Sequence, residues 1–353
     1  MLQQKLSKLT FKTNRPDNFN PAHLLAMTDD TGMFQHCRYS IPDRQHGYTL
    51  DDNVRALLAA AQSEDPAVIE LLPVYLSFVV YCQQPNGLFV NFMGYDRHFL
   101  EATGSPDSQG RTLWALSGLY LEKPIYRSLL EPMREILCQQ VMQMTSPRTL
   151  AFALLGLAAY LKAKPEDSST QTALSFVADR LVGHWEKSQQ PGWYWFEEYI
   201  TYENARFPQA LFAAYVATGN RQYLNIARQA ADFLEELHFK KGYLKLVGNA
   251  GWLQRGQEPA QFDEQPVDAG ALVEMYALAY QVTGESRYFD LARCAFDWYR
   301  GNNYHNLALY DPLTGGVYDG LEVDGVNYNQ GAESVLSYLL ALQSLHKISS
   351  SEK

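Results

Sequence analysis

The sequence predicts an all-α fold, an (α/α)6 toroid of helical hairpins, from three observations. Apolar residues recur at helical spacing in a long series of segments, one hairpin recurs without gaps, and the connections alternate between short and long. The helical segments run roughly over 51 to 63, 66 to 83, 110 to 121, 124 to 144, 148 to 163, 169 to 187, 205 to 218, 220 to 237, 267 to 283, 285 to 300 and 330 to 346. No comparable run of strands competes. Pro66, Pro124 and Pro165 stand near helix starts, and Gly219 and Gly284 stand where a C-terminal cap belongs. The repeat is YVATGNRQYLNIARQAAD from Tyr215, which aligns with YQVTGESRYFDLARCAFD from Tyr280, 65 residues later. First helices beginning near 51, 110, 148, 205, 267 and 330 make six units, the last without a clear second helix. Residues 1–353 therefore form a single domain, with 1–50 as an N-terminal segment that closes the ring.

Within a unit the helices are joined by a few residues, whereas between units most loops run to roughly 20 to 30. In a ring of hairpins every long loop then lies on one face, and loops of that length point to a functional face. NGLFVNFM and GGVYDGLEVDG, with Gly and alternating apolar residues, are expected to form small hairpins that wall it.

Composition narrows the partners. With 46% apolar residues the chain can bury a large core. A mean hydropathy of -0.29 and the lack of an uninterrupted apolar 18-mer argue against a membrane span. The net charge of -10 comes with scattered Lys and Arg, which leaves no footprint for nucleic acid. The N-terminus has no apolar run of signal-peptide length, and Cys37, Cys82, Cys138 and Cys294 lie in no CxxC pair. A cytoplasmic protein with reduced packing thiols is expected.

Six helix starts converge on the long-loop face and carry carboxylates, amides and guanidinium groups, the equipment that brackets the vicinal hydroxyls of a sugar. These are Tyr48, Asp51, Asp52, Asn53 and Arg55; Asp107, Gln109 and Arg111; Arg148; Glu203, Asn204, Arg206 and Gln209; Glu264, Gln265 and Asp268; and Asn329, Gln330 and Glu333. Asp52, Asp107, Glu264 and Asp268 are the general-acid and base candidates, because two carboxylates flanking an anomeric carbon suffice for glycosidic bond chemistry. The others, with Trp195 among the loop aromatics, are candidate sugar ligands. Capping accounts for part of the set: Thr49 and Asp52 have capping-box spacing, and Ser146 precedes Pro147. Capping does not call for Arg55, Arg111, Arg148 and Arg206 at the same mouth. His36, His46 and His98 show no metal-ligand spacing, and neither a phosphate loop nor a dinucleotide fingerprint is present, so no metal and no cofactor are expected.

The motifs DDTGxxQH (29 to 36), GYTLDDNVRAL (47 to 57), DSQGRTLWAL (107 to 116), WFEEYITYENARFPQAL (195 to 211), FDEQPVDAGALVE (262 to 274), YDPLTGGVYDGL (310 to 321) and NQGAESVLSYLLAL (329 to 342) resemble a family of bacterial proteins labelled glycosyltransferase or glycosidase-like. That family is encoded beside, or fused to, glycosyltransferases and the mannoside phosphorylases of glycoside hydrolase family 130. The resemblance implies a six-hairpin glycosidase-like fold, a role in the metabolism of mannose-containing glycosides, and functional association with one of those enzymes. Three functions are weighed: a two-carboxylate glycoside hydrolase, which leads; a non-catalytic sugar-binding partner; and a sugar 2-epimerase, which works through paired histidines that the helix starts here lack.

Overall fold

A computed structural model describes residues 18–350, so part of the predicted ring-closing segment lies outside the described residues. In chain order the helices are α1 (Ala22–Ala26), α2 (Leu50–Gln62), α3 (Pro66–Ile69), α4 (Leu72–Cys82), α5 (Pro106–Glu122), α6 (Arg127–Val141), α7 (Pro147–Ala163), α8 (Ser168–Ser188), α9 (Arg206–Thr218), α10 (Arg221–His238), α11 (Pro266–Thr283), α12 (Ser286–Asp297) and α13 (Ala332–Ser350). Helices α2, α5, α7, α9, α11 and α13 form an inner ring in which each packs on the next and α13 returns to α2. Helices α4, α6, α8, α10 and α12 lie outside them. The sequence carries this division. From Pro266 to Ala277 every residue of α11 is buried, as a helix surrounded by others requires, whereas α10 buries Tyr223, Leu224, Ala227, Ala230, Ala231 and Leu234 along one stripe.

The closest inner pair is α5 with α7. A Cβ on Gly110 would stand 2.7 Å from the Thr149 carbonyl oxygen, and one on Gly156 would stand 2.9 Å from the Leu113 carbonyl. Glycine therefore sets the approach of these two backbones.

The short turns close on left-handed caps at Gly219 (φ +72°) and Gly284 (φ +71°), as expected. At the opposite end, the side chains of Thr49, Ser105 and Ser146 cap α2, α5 and α7. Several helix boundaries differ from expectation: the helix expected from 124 begins at Arg127 after a 3-10 turn, the last runs on to Ser350, and two further differences have a cause in the residues. The segment expected as one helix over 66 to 83 breaks into α3 and α4, because Pro73 lacks an N–H and is accommodated in the first turn of a new helix. Helix α5 starts at Pro106, four residues early, where Ser105 and proline supply an ordinary cap and first position.

Among the described residues strands are confined to short antiparallel ladders: β1 (Cys37–Arg38) with β2 (Ile41–Pro42), β3 (Tyr48–Thr49) with β4 (Phe92–Met93), β5 (Tyr199–Ile200) with β6 (Leu253–Gln254), and β7 (Gly320–Glu322) with β8 (Gly325–Asn327). The hairpin expected in GGVYDGLEVDG forms as β7–β8. NGLFVNFM does not fold on itself, since Phe92 and Met93 pair with Thr49 and Tyr48. No described helix is long and apolar enough to cross a membrane. All four cysteines are unpaired.

Candidate functional site

The first turns of α2 and α13 and the loops before α11 and α13 enclose a cavity of about 340 Å³ at the long-loop end. Asp51, Asp52 and Arg55 line it from α2, Glu333 and Ser334 from α13, and Gln265 from the residue before α11. Asn249, Asp263, Asp319 and Glu322 line the rest of it, with Asp319 bound to Ser334 at 2.6 Å, and His36 and Asn91 complete the wall.

Arg55 organises this wall. Its Nη1 lies 3.4 Å from Asp52 Oδ1, and its Nη2 lies 2.8 Å from Glu333 Oε2 and 3.2 Å from Glu203 Oε2. Asp52 also accepts the Thr49 hydroxyl at 2.5 Å. Burial raises the Asp52 carboxyl, Arg55 and Thr49 oppose the rise, and the neighbouring charges of Glu333 and Asp51 add to it; the net result is a pKa of about 7. A carboxyl poised there holds its proton near neutrality and can donate it.

Beneath the cavity lies a layer of buried ions. Glu203, 1% exposed, meets Arg111 Nη2 at 2.6 Å through Oε2 and Arg206 Nε at 3.1 Å through Oε1. Arg206 continues to Glu274 at 2.8 Å and donates to Gln209 Oε1 at 2.8 Å, and Arg111 reaches Asp51 at 3.2 Å. Burial alone would raise the Glu203 carboxyl, but Arg111, Arg55 and Arg206 outweigh it and hold the group well below the usual carboxylate range. Asp268 accepts the Glu203 backbone N–H at 2.6 Å, and its burial pushes the carboxyl well above the ordinary value.

The predicted residues thus divide. Asp51, Asp52, Arg55, Gln265 and Glu333 meet at the cavity. Glu203, Arg206, Arg111 and Asp268 are not among the lining residues and form a buried floor behind them, joined to the wall through Arg55 and Asp51. The remainder are committed elsewhere. Glu264, expected as an acid or base, is fully buried outside the cavity lining and accepts from Lys245 Nζ at 2.5 Å, Leu246 N at 2.9 Å and Trp298 Nε1 at 3.1 Å. Asp107 accepts from Ser146 Oγ, Thr149 Oγ1 and Tyr202 OH at 3.0, 2.7 and 2.5 Å, which ties α5 to α7 and to the loop before α9. Arg148 stacks on Tyr202 and binds Glu197 at 3.3 Å.

Most of the remaining amides serve the backbone. Asn53 is bound to Met33 and Thr49, Gln109 to Phe89, and Asn204 to Thr201. Asn329 accepts the Tyr39 N–H, and Gln330 accepts from Thr314. Tyr48 donates to Asp29, away from the cavity, and Trp195 is fully buried among Phe196, Phe207 and Phe233. Asp263 lies in the helix-start motif before α11, but sequence reading did not single out Asn249, Asp319 and Glu322 as ligands. The signal for the last two was present, since both lie in the segment read as a wall.

A family model for the β-L-arabinofuranosidase GH127 catalytic domain matches residues 3–306. No curated protein matches the sequence. Among solved structures, the chain is similar to cellobiose 2-epimerase from Bacillus thermoamylovorans, at 13% identity and a TM-score of 0.74 over 98% of this chain and 97% of that one. It is also similar to an α-1,6-mannanase of Salegentibacter sp., at 12% identity and a TM-score of 0.63 over 98% of each chain. A D-mannose isomerase shares the same architecture at 13% identity, with a TM-score of 0.70 over 98% of this chain and 97% of that one. These likenesses are likenesses of fold, the six-hairpin (α/α)6 ring. The family match spans most of the chain, and the protein belongs to the family of the GH127 catalytic domain.

Proposed function

We propose that the protein is a glycoside hydrolase that removes a terminal sugar from a small mannose-containing glycoside. The observation that carries this reading is the pair of carboxyl groups on one guanidinium: Asp52 and Glu333 both contact Arg55 in the wall of a sugar-sized cavity. Asp52, with its pKa near 7, serves as general acid, and Glu333, which is 44% exposed at the mouth, acts on the anomeric side as base or nucleophile. Asp268, deeper and also raised, orients the floor through the Glu203 backbone. Arg55 ties this wall to the buried ions behind it, and a cavity of about 340 Å³ favours a chain end over the middle of a polymer. Association with a glycosyltransferase or a family 130 mannoside phosphorylase, implied by the motif resemblance, is proposed with it.

The test is hydrolysis of a panel of mannosides, with arabinofuranosides alongside because the family model carries that name. Release of sugar by the wild type, with kcat/KM lowered on the order of a hundredfold or more in D52N and in E333Q, supports the assignment. Full activity in both variants would sink it. Sugar binding without turnover across the panel would favour a non-catalytic binding protein.

A second reading has one specific observation behind it. His36 lines the cavity and its ring packs edge-on against His46 at 4.7 Å, which supplies a pair of imidazoles that the helix starts lack. Burial and the neighbouring His46 lower the His36 pKa, which leaves the imidazole neutral with a free ring nitrogen to accept a proton. Epimerisation at the sugar C2 would incorporate solvent deuterium there, whereas hydrolysis does not.

A further inference from the structure

The charges around the mouth cavity are distributed unevenly. Six carboxyl groups line it, from Asp51, Asp52, Asp263, Asp319, Glu322 and Glu333, and Arg55 is the one guanidinium among the lining residues. Arg55 is spent, since it is shared by Asp52, Glu203 and Glu333. Arg111, the next cation inward, is divided between Asp51 and Glu203. Lys245 approaches from behind the 262 to 265 loop, but its ammonium is held by Glu264 and the Gln261 carbonyl, outside the lining. His36, kept neutral by burial, offsets nothing.

The two walls therefore differ. On the α2 and α13 side each acid has a guanidinium partner. On the side built by the loop before α11 and the β7–β8 hairpin, Asp263, Asp319 and Glu322 have no cation among the lining residues. Asp319 is fixed in place by the Gly331 N–H at 2.7 Å and the Ser334 hydroxyl at 2.6 Å, so this wall keeps a carboxylate aimed at a fixed point. A cavity of about 340 Å³ is no wider than the Debye length of about 8 Å at physiological salt, so the field of these carboxylates spans it and weakens as salt rises.

We propose that this cavity selects its sugar by charge: it takes a glycoside bearing a protonated amine in preference to the neutral parent, and refuses one bearing phosphate or carboxylate. The proposal rests on the reading of the cavity as the sugar site. An ammonium group would replace its lost hydration with the Asp263, Asp319 and Glu322 oxygens, whereas a phosphate would find every nearby guanidinium already paired. Asn249 and Gln265, also in the wall, supply neutral contacts to hydroxyls.

The experiment is calorimetric binding to the full-length protein, in the mannose and arabinose series. Each series compares a methyl glycoside, the same glycoside with its primary hydroxyl replaced by an amine, and the same glycoside phosphorylated at that hydroxyl. At low ionic strength the amine is expected to bind roughly tenfold more tightly than the parent, with the advantage shrinking as salt rises, and the phosphate is expected not to bind. In D263N/E322Q the ratio of amine to parent affinity should fall towards one. The salt dependence in the wild type carries the test even where the double variant folds poorly. Equal binding of parent and amine, or binding of the phosphate as tight as that of the parent, overturns charge selection and leaves the sugar site standing. Binding of none of the sugars overturns both.

Discussion

Arg55 Nη2 stands 2.8 Å from Glu333 Oε2, so the first inner helix and the last are joined by a charge pair where the ring closes. The same guanidinium touches Glu203, which enters from the loop before α9 on the far side of the ring. One side chain is thus part of both the cavity wall and the ion layer beneath it.

Asp52 makes both activity and stability depend on pH. Its carboxyl moves from the ordinary 3.8 to about 7 on folding, so its contribution to stability is full below the ordinary value and is lost as pH rises through about 7. Thermal melts should show wild type losing stability between pH 5 and 8, and D52N should lose less by on the order of 2 to 4 kcal/mol. With Asp52 as the acid, kcat/KM should fall on the alkaline side of about pH 7. A D52N melt with the same pH slope as wild type would contradict the shift.

Glu203 and Glu333 share Arg55 but should respond differently to mutation. Glu203→Ala leaves guanidinium groups of Arg55, Arg111 and Arg206 buried without their central partner, at a cost of roughly 3–5 kcal/mol. Glu333→Gln, at a position 44% exposed, should change stability by no more than about 1 kcal/mol while activity collapses. Urea denaturation of both variants beside a hydrolysis assay checks this; equal destabilisation would remove the distinction between floor and wall.

Glycines at the two levels of the ring should also separate. At Gly219 and Gly284 an added Cβ has open space, and only the left-handed φ penalises it, so Gly219→Ala and Gly284→Ala should each cost about 1 kcal/mol. Their distance from the mouth predicts unchanged sugar affinity. Gly156→Ala drives a methyl into the Leu113 carbonyl and should cost roughly 1–3 kcal/mol by prising α7 from α5. Melting temperatures and calorimetry on the three variants decide the matter.

The ring was legible because its determinants are local: apolar period, caps, and the recurrence of Tyr215–Asp232 at Tyr280–Asp297. The mouth followed from loop lengths. Which polar residues face the cavity was harder to read, because a polar side chain at a helix start has two customers, ligand and backbone. Asn53, Gln109 and Asn204 are given to the backbone of Met33, Phe89 and Thr201, partners that no spacing rule identifies. Glu264 looked like Asp268 in sequence, yet Lys245 and Trp298 converge on it from distant segments. Conversely, Asp319 and Glu322 reach the cavity only because the β7–β8 hairpin folds over it.

The ion layer has a consequence for how the ring comes apart. Hairpins that touch only their neighbours open one at a time, from any seam. Here Glu203 acts as a hub whose spokes run to α2, α5 and α9, and Arg206 extends a further spoke to α11. Opening any seam pulls on charges that belong to the others, so the first turns of the inner helices should exchange their amide hydrogens as one cooperative unit, while the outer helices fray independently.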